Sequence, residues 1–129
     1  MTSKINYSKI SEFERDFKRL GKRFKTLDKD FELMKKMLLG PHFISGVSVP
    51  SKALVYIEGF CSEDYKSKKV RRFTCASLKG KGGNSGIRVI FVYEKTEDTH
   101  KITFVEIYFK GDQENENRER LTKFLKELG

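Results

Sequence analysis

Tryptophan is absent from this sequence of 129 residues, and cysteine and histidine occur only twice each. Cys61 and Cys75 form no Cys-x-x-Cys pair, and neither His42 nor His100 has metal-ligand spacing, so the sequence predicts no metal site and no cofactor. A disulfide between the cysteines stays open, but a pair of reduced, apolar thiols is favoured. Both histidines fall in predicted loops, where surface positions are expected.

Long apolar segments are also missing. A polar, charged segment follows the first five residues directly, so the sequence has no recognisable secretion signal. The longest apolar runs are far shorter than a membrane span. We therefore expect a cytoplasmic protein without a membrane partner.

Acidic residues are outnumbered in this chain, which has 27 Lys and Arg against 18 Asp and Glu and a formal net charge of +9. Such a balance says little about the fold, but it attracts phosphate backbones and acidic proteins. The plainer interpretation is a basic protein whose charge serves only solubility. Polyanion binding is favoured because basic residues also cluster in one segment, as described below.

Large aromatic residues are abundant and follow a helical period. Eleven Phe and five Tyr can fill a compact interior, which argues against disorder of the whole chain. Apolar side chains recur at steps of three and four in two neighbouring segments, which predicts two amphipathic helices. The stripes are Ile10, Phe13, Phe17, Leu20 and Phe24, and then Leu27, Phe31, Met34 and Leu38. Gly40 and Pro41 are expected to end the second helix.

The second half of the chain reads as strands. Three strands are predicted at 70–78, 87–94 and 101–109, and a short one at 4–7, while 41–69 reads as a long irregular connection in which 53–57 could be a strand. Leu121, Phe124, Leu125 and Leu128 form the stripe of a final helix, capped by Asp112 or Asn115. The sequence thus predicts one α+β domain over 1–129. It has an N-terminal strand and a helical hairpin packed on a mostly antiparallel sheet of about four strands, with a C-terminal helix.

Basic residues surround the predicted hairpin between the strands 70–78 and 87–94. They are Arg71, Arg72, Lys79, Lys81 and Arg88. Arg71 and Arg72 should point to opposite faces because strand side chains alternate, so only one of the two can join the cluster. The glycine-rich segment 79–86 is not a P-loop, since the Gly-Lys-Ser/Thr order is missing and a strand follows. It is either a flexible hairpin tip or a basic loop that approaches a phosphate.

Arg88 interrupts an otherwise apolar strand and therefore needs a partner. The partner is either a carboxylate within the protein, for which Glu106 is the candidate, or a bound phosphate. Tyr108 and Lys110 lie at the end of the last predicted strand and share a face. No Ser-His-Asp triad or metal-binding carboxylate cluster is visible. Cations, a tyrosine and an acid suit cleavage of RNA by its own 2′-hydroxyl, a reaction that requires no metal.

Four segments resemble the RelE side of the RelE/ParE superfamily of bacterial and archaeal toxins. They are Lys-Val-Arg-Arg-Phe (69–73), Leu-Lys-Gly-Lys-Gly (78–82), Ser-Gly-Ile-Arg-Val-Ile (85–90) and Ile-Tyr-Phe-Lys-Gly-Asp-Gln-Glu-Asn (107–115). The resemblance covers nearly the whole chain, although the connection 41–69 is longer than in compact members. It implies a ribosome-associated mRNA endonuclease of a type II toxin–antitoxin system. An acidic antitoxin, encoded nearby, would hold such an enzyme inactive.

The resemblance also implies site residues and alternatives. Arg88, Lys81, Tyr108 and Lys110 would form the catalytic set, and Arg71, Arg72, Lys79 and Lys81 would bind RNA. A module of the same fold without catalysis, binding a partner protein or nucleic acid, stays open as an alternative, as does a ParE-like gyrase inhibitor. The basic cluster around Arg88 favours the endoribonuclease over the gyrase inhibitor.

Overall fold

A computed structural model describes residues 4–50 and 52–128 and contains four α-helices and five strands within them. In chain order the elements are β1 (Lys4–Lys9), α1 (Ser11–Arg23), α2 (Leu27–Met34), a π-helical segment (Lys35–Leu39), α3 (Gly40–Ser45), β2 (Leu54–Cys61), β3 (Lys66–Val70), β4 (Ile87–Lys95), β5 (Thr99–Phe109) and α4 (Arg118–Leu128). The strands form one sheet in the order β1-β5-β4-β3-β2. β1 is parallel to β5, and all other pairs are antiparallel. The predicted α+β fold class is confirmed.

Two helices cover one face of the sheet, as the aromatic stripes predict. Phe13 of α1 and Phe31 of α2 are buried, at 1% and 6% exposure. The Phe13 ring stacks on Phe104 of β5, and the Phe31 ring meets Phe104 edge to face. Met34 is buried as well, while Phe17 is partly buried and packs against the same cluster. The expectation that these helices pack on the sheet is therefore confirmed.

The second helix does not end at Gly40 and Pro41, contrary to the sequence prediction. A π-helical segment leads into α3, and Pro41 occupies its first turn. The missing N–H of proline is tolerated there because the first N–H groups of a helix have no helical partner. The helix ends instead at Gly46, whose φ of 68° is left-handed and typical of a glycine that follows a helix.

The prediction of an irregular connection over 41–69 is wrong. This interval contains α3, β2 and β3, so the sheet has five strands rather than about four. The predicted strand 70–78 is also wrong, because β3 ends at Val70 and turns follow it. The sequence did not predict β3 because its five residues, Lys-Ser-Lys-Lys-Val, are mostly charged. Its Lys68 is nonetheless buried, with its ammonium over the rings of Phe43 and Tyr56 at 5.1 and 4.5 Å.

Helix α4 packs on the other face of the sheet through the predicted apolar stripe around Leu121. Its cap is Asn117, whose Oδ1 accepts the Arg120 N–H at 3.0 Å, and not Asp112 or Asn115. Arg120 also donates to Asp16 of α1 at 2.6 Å and to the Val105 carbonyl at 3.0 Å. These bonds fix α4 over one end of the sheet face and leave the other end open.

The remaining sequence predictions have mixed outcomes. His100 is a buried residue of β5, rather than a surface loop residue, and lies 2.6 Å from the Tyr93 hydroxyl. Cys61 and Cys75 are both free. None of the helices in the described ranges is long and apolar enough to cross a bilayer.

Candidate functional site

The open end of the sheet face carries several basic side chains, and strand register explains why they meet. Arg88 lies directly opposite Tyr108 in the pairing of β4 with β5. Lys110 follows Tyr108 by two residues, and Arg71 follows Lys69 by two, so alternation brings these side chains to the same face. They line one groove of about 290 Å³.

We call this feature the basic groove. Its charged lining consists of five cations, Lys69, Arg71, Arg88, Lys110 and Arg118, and three carboxylates, Glu58, Glu114 and Glu116. The Tyr108 side chain lies among them. The groove is therefore a shallow, predominantly cationic depression, suited to an anionic ligand.

Arg88 is oriented by the backbone and not by an acid. Its Nη1 donates to the Arg71 carbonyl at 2.7 Å, and the Arg71 N–H donates to the Ala53 carbonyl at 2.9 Å. Within the described ranges no carboxylate forms an ion pair with Arg88. Burial lowers the pKa of the Arg88 guanidinium, and the neighbouring Arg71 charge lowers it further, while Tyr108 opposes the shift. An arginine stays charged at neutral pH, so Arg88 presents an uncompensated cation to the groove.

Glu106, the predicted internal partner of Arg88, has other partners. Its Oε1 accepts the Asn117 N–H and its Oε2 accepts the Gln113 side-chain amide, both at 2.7 Å. It lies opposite Ile90 in the sheet. The hypothesis of an Arg88–Glu106 pair is therefore wrong, because both carboxylate oxygens hold the segment that leads into α4.

This arrangement makes the stability of the fold depend on pH. Burial raises the pKa of the Glu106 carboxyl, although the Asn117 and Gln113 hydrogen bonds oppose the shift. Because the pKa of Glu106 is higher in the folded state, Glu106 contributes most to stability at pH values below the ordinary pKa of a glutamate. This contribution is lost as pH rises through the raised pKa of the folded state. The free energy of unfolding of the wild type minus that of Glu106→Gln should therefore fall as pH rises from about 4 to 8.

Urea unfolding of both proteins at several pH values measures this difference. Glu97→Gln, a change at an exposed turn residue, serves as the control for removal of a negative charge. A difference that stays constant, or that grows with pH, would contradict the assignment of a buried, titrating Glu106.

Tyr108 is a hydrogen-bond donor in the groove rather than a base. The residue is 3% exposed, and burial, followed by the charges of Glu116 and Glu106, raises its pKa to about 12. Arg88 and Arg71 oppose this shift. The phenol therefore keeps its proton throughout the physiological range.

Across the described part of the chain, Glu116 pairs with two of the five cations of the groove and leaves the other three unpaired. Its buried carboxylate pairs with Lys69 at 2.6 Å and with Arg118 at 3.2 Å. Burial raises the pKa of Glu116, but the Lys69 and Arg118 contacts outweigh burial and leave it below its ordinary value. Arg71, Arg88 and Lys110 have no acidic partner among the residues that the structure describes. These three cations remain available to a ligand.

Three of the predicted site residues lie outside the basic groove. A side chain at Gly83 would meet the Arg72 guanidinium at 3.0 Å, so Arg72 packs across that glycine, away from Arg71. Lys79 and Lys81 are exposed on the loop 79–86. This loop is not a free hairpin tip, because the Ser85 hydroxyl bonds to the Phe73 carbonyl and anchors it.

The sequence patterns indicate no role for Lys69, Glu116 or Arg118. Lys69 lies in β3, which the sequence did not predict, and Glu116 reads as one more acid before a helix. Arg118 carries a recognisable signal, because a cation at a helix N-terminus opposes the helix dipole and calls for another explanation. Among the described residues no group of His, Cys, Asp or Glu side chains could hold a metal ion.

Comparisons with known proteins concern the fold. The sequence matches no protein-family model and no curated protein. Among solved structures, the crystal structure of an archaeal RelE–RelB complex from Pyrococcus horikoshii matches with a TM-score of 0.46 and 14% identity. The match covers 86% of this chain and 98% of that chain.

Proposed function

We propose that this protein is a RelE-like toxin that cleaves mRNA, and that the basic groove is its active site. The observation that carries the proposal is the convergence of Arg71, Arg88 and Lys110, all without acidic partners in the described chain, around the protonated Tyr108. The sequence motifs that resemble RelE include each of these residues. The proposal does not depend on the similarity of folds.

The reaction uses the 2′-hydroxyl of RNA as nucleophile. A base takes the hydroxyl proton, the oxygen bonds to the adjacent phosphorus, and the bond to the 5′-oxygen breaks as that oxygen gains a proton. Negative charge grows on the non-bridging oxygens in the transition state. Arg88 offers two donors in one plane to these oxygens, and Arg71 and Lys110 add positive charge.

The two lysines of the loop 79–86 have a different proposed role. Lys79 and Lys81 are exposed and lie outside the groove, so we assign them to the RNA backbone rather than to the reacting phosphate. Arg72 is assigned to the backbone as well. Contacts of this kind add affinity that depends on salt and not on sequence.

Partners follow from the same proposal. The net charge of +9 suits an acidic antitoxin, encoded by a neighbouring gene, and also ribosome-associated mRNA in the cytoplasm. The purified protein and the product of the neighbouring gene should co-elute at low salt. Separate elution would contradict the proposal that the neighbouring gene encodes an antitoxin for this protein.

Tyr108→Phe tests the proposed donor. Loss of a hydrogen bond to a charged phosphate oxygen, about 1.5–3 kcal/mol, should lower the cleavage rate by about one to two orders of magnitude while substrate binding changes little. Tyr65→Phe is the matched control, since Tyr65 packs beneath α4 outside the groove. Single-turnover cleavage of labelled RNA measures the rate. An unchanged rate in Tyr108→Phe would show that the hydroxyl does not contact the reacting phosphate.

The whole proposal is tested by induced expression with and without the neighbouring gene, followed by primer extension on cellular mRNA. We expect growth arrest and new mRNA ends only when the neighbouring gene is absent. Growth arrest with DNA damage and intact mRNA would favour the gyrase inhibitor. Normal growth with intact mRNA would favour a binding module without catalysis.

A further inference from the structure

Arg118 occupies a position that the fold alone does not explain. It is the first residue of α4, where the helix dipole disfavours a cation. It does not cap the helix, because Asn117 does so. Its side chain is 59% exposed, so its burial contributes little to stability.

Two contacts nonetheless fix the Arg118 guanidinium. Its Nε donates to the buried Glu116 carboxylate at 3.2 Å, and its Cζ lies 5.5 Å from the centre of the Phe60 ring on β2. Glu116 is itself held by Lys69 at 2.6 Å. A planar cation is thus held in place, with much of its surface open to solvent.

The basic groove places this cation beside the proposed phosphate site. Arg118 lines the same groove as Arg88 and Tyr108. The volume of the groove, about 290 Å³, is just below the usual range for small-molecule pockets, roughly 300–1,000 Å³.

We propose that Arg118, held by Glu116 and Phe60, is a stacking platform for one unpaired RNA base next to the phosphate bound by Arg71 and Arg88. Unpaired bases commonly stack on arginine guanidinium planes as well as on aromatic rings. Glu116 already offsets part of the positive charge at this end of the groove. Arg118 therefore contributes its flat surface more than its charge. This inference rests on the proposed function and names the form of its substrate, a single strand.

The experiment uses short single-stranded oligodeoxynucleotides, which lack the 2′-hydroxyl and cannot be cleaved by the proposed reaction. One abasic position is moved along the oligonucleotide, and affinity is measured by fluorescence anisotropy. We expect removal of one particular base to weaken binding to the wild type about tenfold. In Arg118→Lys, which keeps the charge but loses the plane, removal of that base should have no effect.

Arg88→Ala separates this inference from the proposed function. It should weaken binding of every oligonucleotide to a similar extent and keep the dependence on that one base. Base dependence that survives in Arg118→Lys, or that is absent from the wild type, would overturn the stacking platform. Wild-type affinity in Arg88→Ala, together with loss of base dependence in Arg118→Lys, would support the platform and contradict the phosphate site. Arg118→Lys should melt at the wild-type temperature, because the side chain is largely exposed.

Discussion

Replacement of Arg88 by alanine should lower the rate of RNA cleavage by about two to three orders of magnitude. The guanidinium faces the basic groove and has no acidic partner within the described ranges, so its charge is available to the phosphorane. Removal of one donor to a developing oxyanion typically costs about 3–4 kcal/mol of transition-state stabilisation. Single-turnover cleavage of labelled RNA measures the loss.

Two further variants test whether the geometry and the position of the Arg88 charge matter. Arg88→Lys should be a poor replacement, because an ammonium cannot hold two phosphate oxygens in one plane. Arg15→Ala, on the exposed face of α1, removes the same charge outside the groove and should leave the rate unchanged. Arg88→Ala loses one exposed hydrogen bond to the Arg71 carbonyl and no ion pair with Glu106, so it should melt only a few degrees below the wild type. Full cleavage by a stable Arg88→Ala protein would end the catalytic assignment of this residue.

Phe13→Ala should destabilise the fold by about 3–5 kcal/mol. Phe13 is 1% exposed, and its ring lies 5.6 Å from that of Phe31 and 5.5 Å from that of Phe104, measured between ring centres. Its removal leaves a cavity at the contact between both N-terminal helices and the sheet. A small domain is stable by only about 5–15 kcal/mol, so the variant should be close to unfolding.

Urea unfolding followed by circular dichroism measures this loss. Leu33→Ala is the control, because Leu33 lies on α2 but is 54% exposed, and its substitution should change stability by about 0.5 kcal/mol or less. Equal, small effects of the two substitutions would contradict the assignment of Phe13 to the core.

Local periodicity was sufficient to predict α1, α2, α4 and the two strands β4 and β5, but not α3. The spacing from Ile10 to Leu38 indicates α1, α2 and the π-helical segment, and 87–94 and 101–109 correspond to β4 and β5. β3 was missed because lysines dominate it, and Lys68 is buried only because rings distant in sequence cover it. The register of β2 shifts between Tyr56 and Cys61, where Gly59 has a left-handed φ of 87°.

The sequence predicts the part of the candidate site that depends only on the pairing of β4 with β5. Arg88 and Tyr108 lie opposite each other on consecutive strands, and Lys110 follows the end of β5 directly, so strand pairing places the three together. The partner of Arg88 could not be chosen from sequence, since Glu106 becomes unavailable only through contacts with Gln113 and Asn117. The pairing of Glu116 with Lys69 joins segments far apart in the chain and left no local pattern.

The identity of the nucleophile tests the central claim most directly. The substrate is mRNA in the form that the wild-type protein cleaves, on the ribosome if it is required, with a single 2′-deoxy substitution at the mapped cleavage site. We expect the unmodified RNA to yield a 2′,3′-cyclic phosphate end, and the substituted RNA to remain intact at that site. Cleavage of the substituted RNA at an undiminished rate, or no cleavage of either RNA, would contradict the account.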